Sequence, residues 1–338
     1  MGEAVDATVL VAGSANLDFV VRASHVPAPG ETVLGRGFAT YAGGKGANQA
    51  IACARAGGAP TRMLLALGED DYAIPLEAGL RAADVQLDIV RCPDQPTGTA
   101  FICLADDAEN AITVAPGANA ALQPQHLPDL AGVGSLLMQL ETPLESIAAY
   151  ASAARSAGVR VVLNAAPARA LPDALLRNLD VLVVNEGELE ALAGVHGGIA
   201  DRLARLPVHT VIATLGALGC CARAGSQWLL QPAFPITPLD TTGAGDTFCG
   251  ALVAGLGRGE PLAQALRAAS AASALACTRM GAQAGVPSRN EVDALLAGDS
   301  DAEPEARAAL AAACGMLAAH AFGASDTPGA SDPAGAGA

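Results

Sequence analysis

The chain is short of several things that whole classes of protein need. It has a single lysine, Lys45, beside 18 arginines, and 34 acidic residues against these 19 basic ones leave a formal charge of −15. A nucleic-acid binder carries a basic face, and this balance argues against one. Aromatic residues make up 3% of the chain while 51% of it is hydrophobic. The core must therefore be aliphatic and rich in small side chains, and alanine supplies 78 of the 338 residues. No apolar run of about 18 residues escapes a charge, Pro or Gly, so no transmembrane helix is expected and no membrane partner. Residues 1–6 are acidic and lead straight into a strand-like run, unlike a secretory signal. The eight cysteines contain no C-x-x-C pair, and the 5 histidines are scattered. Reduced, mostly buried thiols in a cytoplasmic protein are expected, rather than disulfides or a zinc site.

Two nucleotide-binding motifs are missing as well. A P-loop needs Gly-Lys-Ser/Thr, and Lys45 is followed by Gly46. A G-x-G-x-x-G fingerprint would need glycine where Phe248 stands, and the first strand offers only Gly13-Ser14-Ala15-Asn16-Leu17-Asp18. A Walker-type NTPase and a standard NAD dehydrogenase are both disfavoured. Any phosphate site here is of another kind.

What is present is an alternation. Short apolar, β-branched runs at 8–12, 63–67, 135–140, 159–163, 181–184 and 208–214 read as strands, separated by helices such as 47–56 and 143–157. Helices then dominate, at 244–256, 262–277 and 290–297. Strands spaced by helices of ten to fifteen residues predict a parallel sheet covered on both faces. Looser alternation at 19–22 and 31–41, with a hairpin pattern at 101–104 and 111–114, predicts a small separate sheet. At about 150 residues per domain, the length fits one large domain or two modest ones. From 299 the texture changes: 301–320 could form an Ala-rich helix, and 323–338 is a Gly/Ala/Ser/Pro/Asp tail read as disordered.

Three clusters could carry chemistry. Residues 240–248, Asp-Thr-Thr-Gly-Ala-Gly-Asp-Thr-Phe, set glycines just before a helix, where free N–H groups and the helix dipole favour an anion. Asp246 falls in the first turn, placed to take a proton from a hydroxyl attacking a phosphoryl group. An ordinary Gly-rich turn with Asp as a helix-start residue explains the same spacing. In residues 43–49, Gly-Gly-Lys-Gly-Ala-Asn-Gln, glycines again lead into a helix, and Lys45 and Asn48 suit neutral hydroxyls or a phosphate oxygen. Asn16 and Asp18 follow the first strand, where open α/β sheets place ligands, though both residues also favour plain turns. Asn185 and Glu188 have the spacing of a capping box; a second account puts them near a magnesium–phosphate cluster through water. Glu141 ends an apolar strand, either as a ligand group or as an exposed loop carboxylate.

Taken together, these segments resemble the ribokinase-type carbohydrate kinases, over about residues 8–296. Both signatures of that family are here in the right order, 43–49 and 240–248. Residues 13–18, 116–122, 138–141, 164–169 and 278–283 resemble its ribose-phosphorylating members in particular. The resemblance implies an α/β three-layer sandwich with a mostly parallel central sheet and a small β-sheet lid, the lid strands lying within about 15–42 and 98–115. The kinase domain would be 1–298, with 299–338 as a partly disordered tail.

It also implies transfer of the ATP γ-phosphoryl to the 5-hydroxyl of D-ribose, with a related sugar, deoxyketonate or nucleoside as the alternative acceptor. Asp246 would be the general base, and Gly243, Ala244 and Gly245 an anion hole. Asn16, Asp18, Gly44, Lys45, Asn48, Glu141 and Asp246 would hold the sugar; Asn185, Thr214, Gly216, Gly219 and Gly245 would line the nucleotide site. Mg²⁺ would come with ATP near Glu188, through water. An activating K⁺ would use Asp240, the carbonyls of Thr242, Ala276 and Gly281, and a residue near Gly285. The lid would join a homodimer and exclude water on closing. Three departures stand out: Gly285 replaces a serine common in the family, 195–207 looks short, and the tail has no counterpart.

Overall fold

A computed structural model describes residues 8–105, 110–298 and 304–316. Its thirteen strands are β1 (Thr8–Ala12), β2 (Asn16–Arg22), β3 (Gly37–Gly43), β4 (Thr61–Gly68), β5 (Val85–Cys92), β6 (Gly98–Leu104), β7 (Asn110–Ala115), β8 (Val133–Met138), β9 (Arg160–Asn164), β10 (Val181–Asn185), β11 (Thr210–Thr214), β12 (Gly219–Ala224) and β13 (Gln227–Pro232). Its helices are α1 (Lys45–Arg55), α2 (Ala73–Ala82), α3 (Leu144–Ser156), α4 (Asp173–Leu176), α5 (Glu186–Ala193), α6 (Ile199–Arg205), α7 (Ala244–Gly257), α8 (Leu262–Cys277), α9 (Arg289–Gly298) and α10 (Pro304–Ala313).

Nine strands form one sheet in the order β13-β12-β11-β10-β9-β8-β1-β4-β5, and four form a second in the order β3-β2-β6-β7. From β11 to β5 the large sheet is parallel; β12 and β13 are antiparallel. In the small sheet β2 runs parallel to β6, and the other two pairs are antiparallel. The fold is thus the expected mostly parallel α/β sandwich with a small separate sheet. Residues 31–36, expected as strand, are irregular, because Pro27, Pro29 and Gly30 delay the return until Gly37.

Alternation along each central strand divides the core into two layers. Val9, Val11, Met63, Leu65, Leu137, Val183 and Ile212 face α1, α2, α7, α8 and α9. Leu10, Leu64, Leu136, Met138, Leu163, Leu182 and Val211 face α3, α4, α5, α6 and α10. The alanine excess does structural work in the first layer. A Cβ on Gly250 of α7 would lie 2.5 Å from the Ala52 Cβ and 2.6 Å from the Gln49 carbonyl of α1. Helices this close carry little but Gly and Ala at the crossing.

Helix α10 lies beyond residue 298, where the kinase domain is expected to end. Helix α10 packs against β13 and β12, and its Leu310, with Cys314 just beyond, is fully buried in the second layer. An apolar stripe on this helix covers sheet that water would otherwise reach. Residues 317–338, and with them the tail from 323, lie outside the described residues. The segment 195–207 holds the seven-residue helix α6. All eight cysteines are free thiols. Among the described residues no helix is long and apolar enough to cross a membrane, and no group of three or more His, Cys, Asp or Glu could hold a metal.

Candidate active site

The sequence clusters converge at the carboxyl ends of the parallel strands, where loops are free to carry polar groups. Strand β1 ends in Gly13-Ser14, and the chain then enters β2, so Asn16 and Asp18 lie on one face at the start of that strand rather than in a loop. Strand β3 returns to Gly43, paired with Asn16 across the sheet. Gly44, at φ +88°, then turns the chain into α1. Only glycine fits there: a Cβ would sit 2.7 Å from the Ala15 Cα, in a left-handed conformation.

Gly243 turns the chain into α7 in the same way, at φ +76°, with the Ala282 Cα 2.8 Å from where a Cβ would stand. Gly245 by contrast faces open space, with nothing within 4 Å of a Cβ. Asp246 is the third residue of α7 and is 9% exposed. Its Oδ2 accepts from Asn48 Nδ2 and its Oδ1 from Gln49 Nε2, both at 2.9 Å. Burial pushes its pKa up, and the Lys45 ammonium and these two amides oppose that rise. A carboxylate so balanced is a stronger base than a free aspartate.

Lys45, half-buried, carries the opposite charge. Burial works against its ammonium, yet the carboxylates of Asp246, Glu141 and Glu188 together outweigh that and hold its pKa above the ordinary value. Glu141 is held by Ser14 Oγ at 2.5 Å and by the Lys45 backbone N–H at 3.1 Å. Asp18 differs from all of these. Among the described residues no donor reaches its carboxylate, and burial, then the nearby Glu141 charge, pushes its pKa up to about 7. A half-buried carboxylate without a donor has both oxygens open to accept hydrogen bonds.

Glu188 sits in a complete capping box, the structural alternative raised by its spacing. Its Oε2 accepts from the Asn185 backbone N–H at 2.8 Å, its Oε1 from Asn185 Nδ2 at 3.0 Å, and its own N–H donates to Asn185 Oδ1 at 2.9 Å. Burial raises its pKa. Asn185 and Thr214 end adjacent strands in register, and Thr214 Oγ1 donates to the Val184 carbonyl at 3.3 Å. Gly216 (φ +54°) and Gly219 (φ +110°) shape the turn that follows.

The residues expected around a monovalent cation also come together. Asp240 accepts from the Thr242 N–H at 3.0 Å and the Gly281 N–H at 2.8 Å. Burial raises its pKa, but these bonds prevail and hold the carboxyl below its ordinary range. A Cβ on Gly285 would meet the carbonyl oxygens of Gly281 at 2.7 Å and Ala276 at 3.1 Å. This all-oxygen donor set suits a hard cation. The serine hydroxyl is absent, as the sequence indicates.

Several polar residues of the site were not singled out as functional by sequence reasoning. Asn119 is 1% exposed; it accepts from the Ala15 N–H at 3.0 Å and donates to Asn16 Oδ1 at 2.8 Å, which turns the Asn16 amide. Gln283 Nε2 donates to Asn48 Oδ1 at 3.0 Å, fixing Asn48 likewise. Gln139 and Asn164 join Gln49 in a buried chain. The available signal was a polar residue closing an apolar run, as in Leu-Leu-Met-Gln and Val-Val-Leu-Asn.

This geometry has close relatives. The family model described as pfkB family carbohydrate kinase matches residues 6–289. A ribokinase of Bacillus subtilis is 39% identical over 293 residues, covering 85% of this chain and 99% of its own. One from Haemophilus influenzae is 37% identical, covering 84% and 96%. Among solved structures, a Thermotoga maritima ribokinase superposes with a TM-score of 0.80 at 33% identity, covering 86% of this chain and 99% of that one. An Arabidopsis thaliana ribokinase complexed with ribose and ATP does so with a TM-score of 0.79 at 33% identity, covering 86% and 98%. With two glycine-capped helices meeting at one buried carboxylate, and relatives of this similarity along most of its length, the chain belongs to the pfkB family of carbohydrate kinases and is an ATP-dependent sugar kinase.

Proposed function

We propose that this enzyme phosphorylates D-ribose on its 5-hydroxyl, giving D-ribose 5-phosphate and ADP. The observation that carries the mechanism is Asp246: buried, both oxygens held by amide donors, in the first turn of α7. The acceptor hydroxyl attacks the γ-phosphorus as the bond to the β–γ bridging oxygen breaks. The hydroxyl proton passes to the Asp246 carboxylate, and ADP leaves with the electron pair. Backbone N–H groups of Gly243 and Gly245, together with that of Ala244, which also donates to the Thr241 carbonyl at 3.2 Å, offset the charge on the transferring group, with the helix dipole behind them.

Asn16, Asp18, Gly44, Lys45, Asn48 and Glu141 hold the sugar. The unpartnered Asp18 carboxylate and the oriented Asn16 and Asn48 amides support a polyhydroxyl substrate over a flat base. Asn185, Thr214, Gly216, Gly219 and Gly245 line the nucleotide side. Bound with ATP, Mg²⁺ neutralises β- and γ-phosphate charge, and Glu188 would meet its water shell. Asp240 with the carbonyls of Thr242, Ala276 and Gly281, beside Gly285, would hold K⁺. The exposed apolar side chains of the small sheet, Phe38 at 65% and Phe101 and Ile112 at 55%, support a homodimer through the lid.

Asp246→Asn is expected to leave ribose binding nearly intact and lower kcat by about 10²–10⁴-fold, the usual range for a general base. Coupled ADP release measures it, and near-normal turnover would remove Asp246 from the reaction. The same assay over ribose, deoxyribose, fructose, adenosine and 2-keto-3-deoxygluconate tests the acceptor. Ribose must lead in kcat/KM.

A further inference from the structure

Behind the base runs a line of buried amides. Gln49 is fully buried, Gln139 is 1% exposed and Asn164 is 8% exposed. Gln139 Nε2 donates to Gln49 Oε1 at 2.6 Å. Gln49 Nε2 in turn donates to Asp246 Oδ1 at 2.9 Å and Asn164 Oδ1 at 3.0 Å, and Asn164 Nδ2 to the Val183 carbonyl at 3.3 Å. Four elements, the end of β8, α1, β9 and α7, each contribute one member.

The orientation of each amide follows from its neighbour. Turning Gln139 would set its Oε1 against Gln49 Oε1. Turning Gln49 in response would aim an amide oxygen at the Asp246 carboxylate. Both are repulsive, and in a buried site no water screens them. The arrangement that remains leaves one cost, Gln139 Oε1, which has no partner. The unpaired Gln139 Oε1 is left by the one arrangement that keeps a Gln49 N–H on the Asp246 carboxylate.

We propose that Gln49, set by Gln139 and Asn164, is a positioning residue for the phosphoryl transfer: it fixes the plane of the Asp246 carboxylate and stabilises its ionised, proton-accepting form. This rests on Asp246 being the base. The charged and titratable groups facing Asp246 are Lys45, Glu141, Glu188 and the thiol of Cys249. Lys45 favours the anion, while Glu141 and Glu188 oppose it. Gln49 adds a donor without adding charge, so its help persists when phosphate groups compete for Lys45.

The test is Gln49→Met, which keeps length and removes the donor, read through the pH dependence of kcat/KM with ribose and MgATP. Asp246 must be ionised to accept the proton, so a weaker hold on the anion moves the acid limb to higher pH. The limb is expected to move up by about one pH unit, with rates below it about tenfold lower and recovery at alkaline pH. Ribose KM should stay within about twofold, since Asp18 and Asn16 are untouched. Gln139→Met frees the Gln49 amide to turn and should move the limb the same way by less; it decides the matter should Gln49→Met fail to fold. A wild-type limb in the folded variant, or kcat and KM worsening together with the limb in place, overturns the proposal. Asp246→Asn in parallel separates the two readings: full turnover there sinks the base, whereas a wild-type limb at Gln49→Met sinks only the positioning role.

Discussion

Asp18 is where function and stability pull hardest against each other, and Asp18→Asn measures both. Burial and the Glu141 charge raise its pKa from 3.8 to about 7 in the folded protein. The folded state therefore binds the Asp18 proton more tightly than the unfolded chain does. Stability falls as pH rises from about 4 through 7, and is flat above. The rise corresponds to about 4 kcal/mol as a ceiling, and about 2 kcal/mol once solvent reaching the carboxylate is allowed for. The amide carries no such cost, so Asp18→Asn should be the more stable protein at pH 8.5 by roughly 2–4 kcal/mol. At pH 5.5 that advantage should shrink to about half, because wild-type Asp18 is then protonated.

Urea denaturation of both proteins at the two pH values, without sugar, reads the difference directly. With Asp18 in the proposed sugar-binding role, the same substitution removes a charged acceptor for the sugar. Ribose KM at pH 8 should therefore rise about tenfold or more, a charge-assisted hydrogen bond contributing about 1.5–3 kcal/mol. Equal stabilities at pH 8.5, or a gap that does not narrow by pH 5.5, would refute the assignment of burial strain to Asp18. A stabilised variant with unchanged KM would instead remove Asp18 from the sugar site.

Three other outcomes follow from the geometry. Gly243→Ala forces a side chain into a left-handed turn 2.8 Å from the Ala282 Cα; thermal denaturation should show a loss of about 1–3 kcal/mol, with a fall in kcat as the start of α7 shifts. Leu310→Ala opens a cavity under the C-terminal helix and should cost about 2–5 kcal/mol by urea denaturation; a neutral result would return α10 to a dispensable tail. Gly285→Ser meets the Gly281 carbonyl at 2.7 Å, so it should lower stability by about 1–3 kcal/mol rather than strengthen potassium activation; a potassium titration of kcat in both proteins decides this.

Much of the site was legible because its signals are local. A glycine that must adopt positive φ, followed at once by a helix, can be read from a few residues, and Gly44 and Gly243 are both of this kind. The central strands were legible because strands buried on both faces are continuously apolar. The edge of the sheet was not. Strand β5, Val-Gln-Leu-Asp-Ile-Val-Arg-Cys, is half-exposed and mixes both periodicities, and β12, β13 and α2 are similarly ambiguous. Helix α10 could be expected as a helix, but nothing in its alanines said what it would cover.

The sequence by itself determined the two glycine-capped helix starts, the parallel α/β order and the identity of the carboxylate at 246. It could not determine which groups meet that carboxylate. Asn48 and Gln49 lie 198 and 197 residues from Asp246 in the chain, and Gln139 lies 90 from Gln49. Their amide orientations are fixed by one another across four elements, and Asp18 becomes a near-neutral acid only because packing brings Glu141 beside it and removes water. Such effects depend on distance and burial, which arise when the chain closes on itself; residue type and spacing carry no record of them.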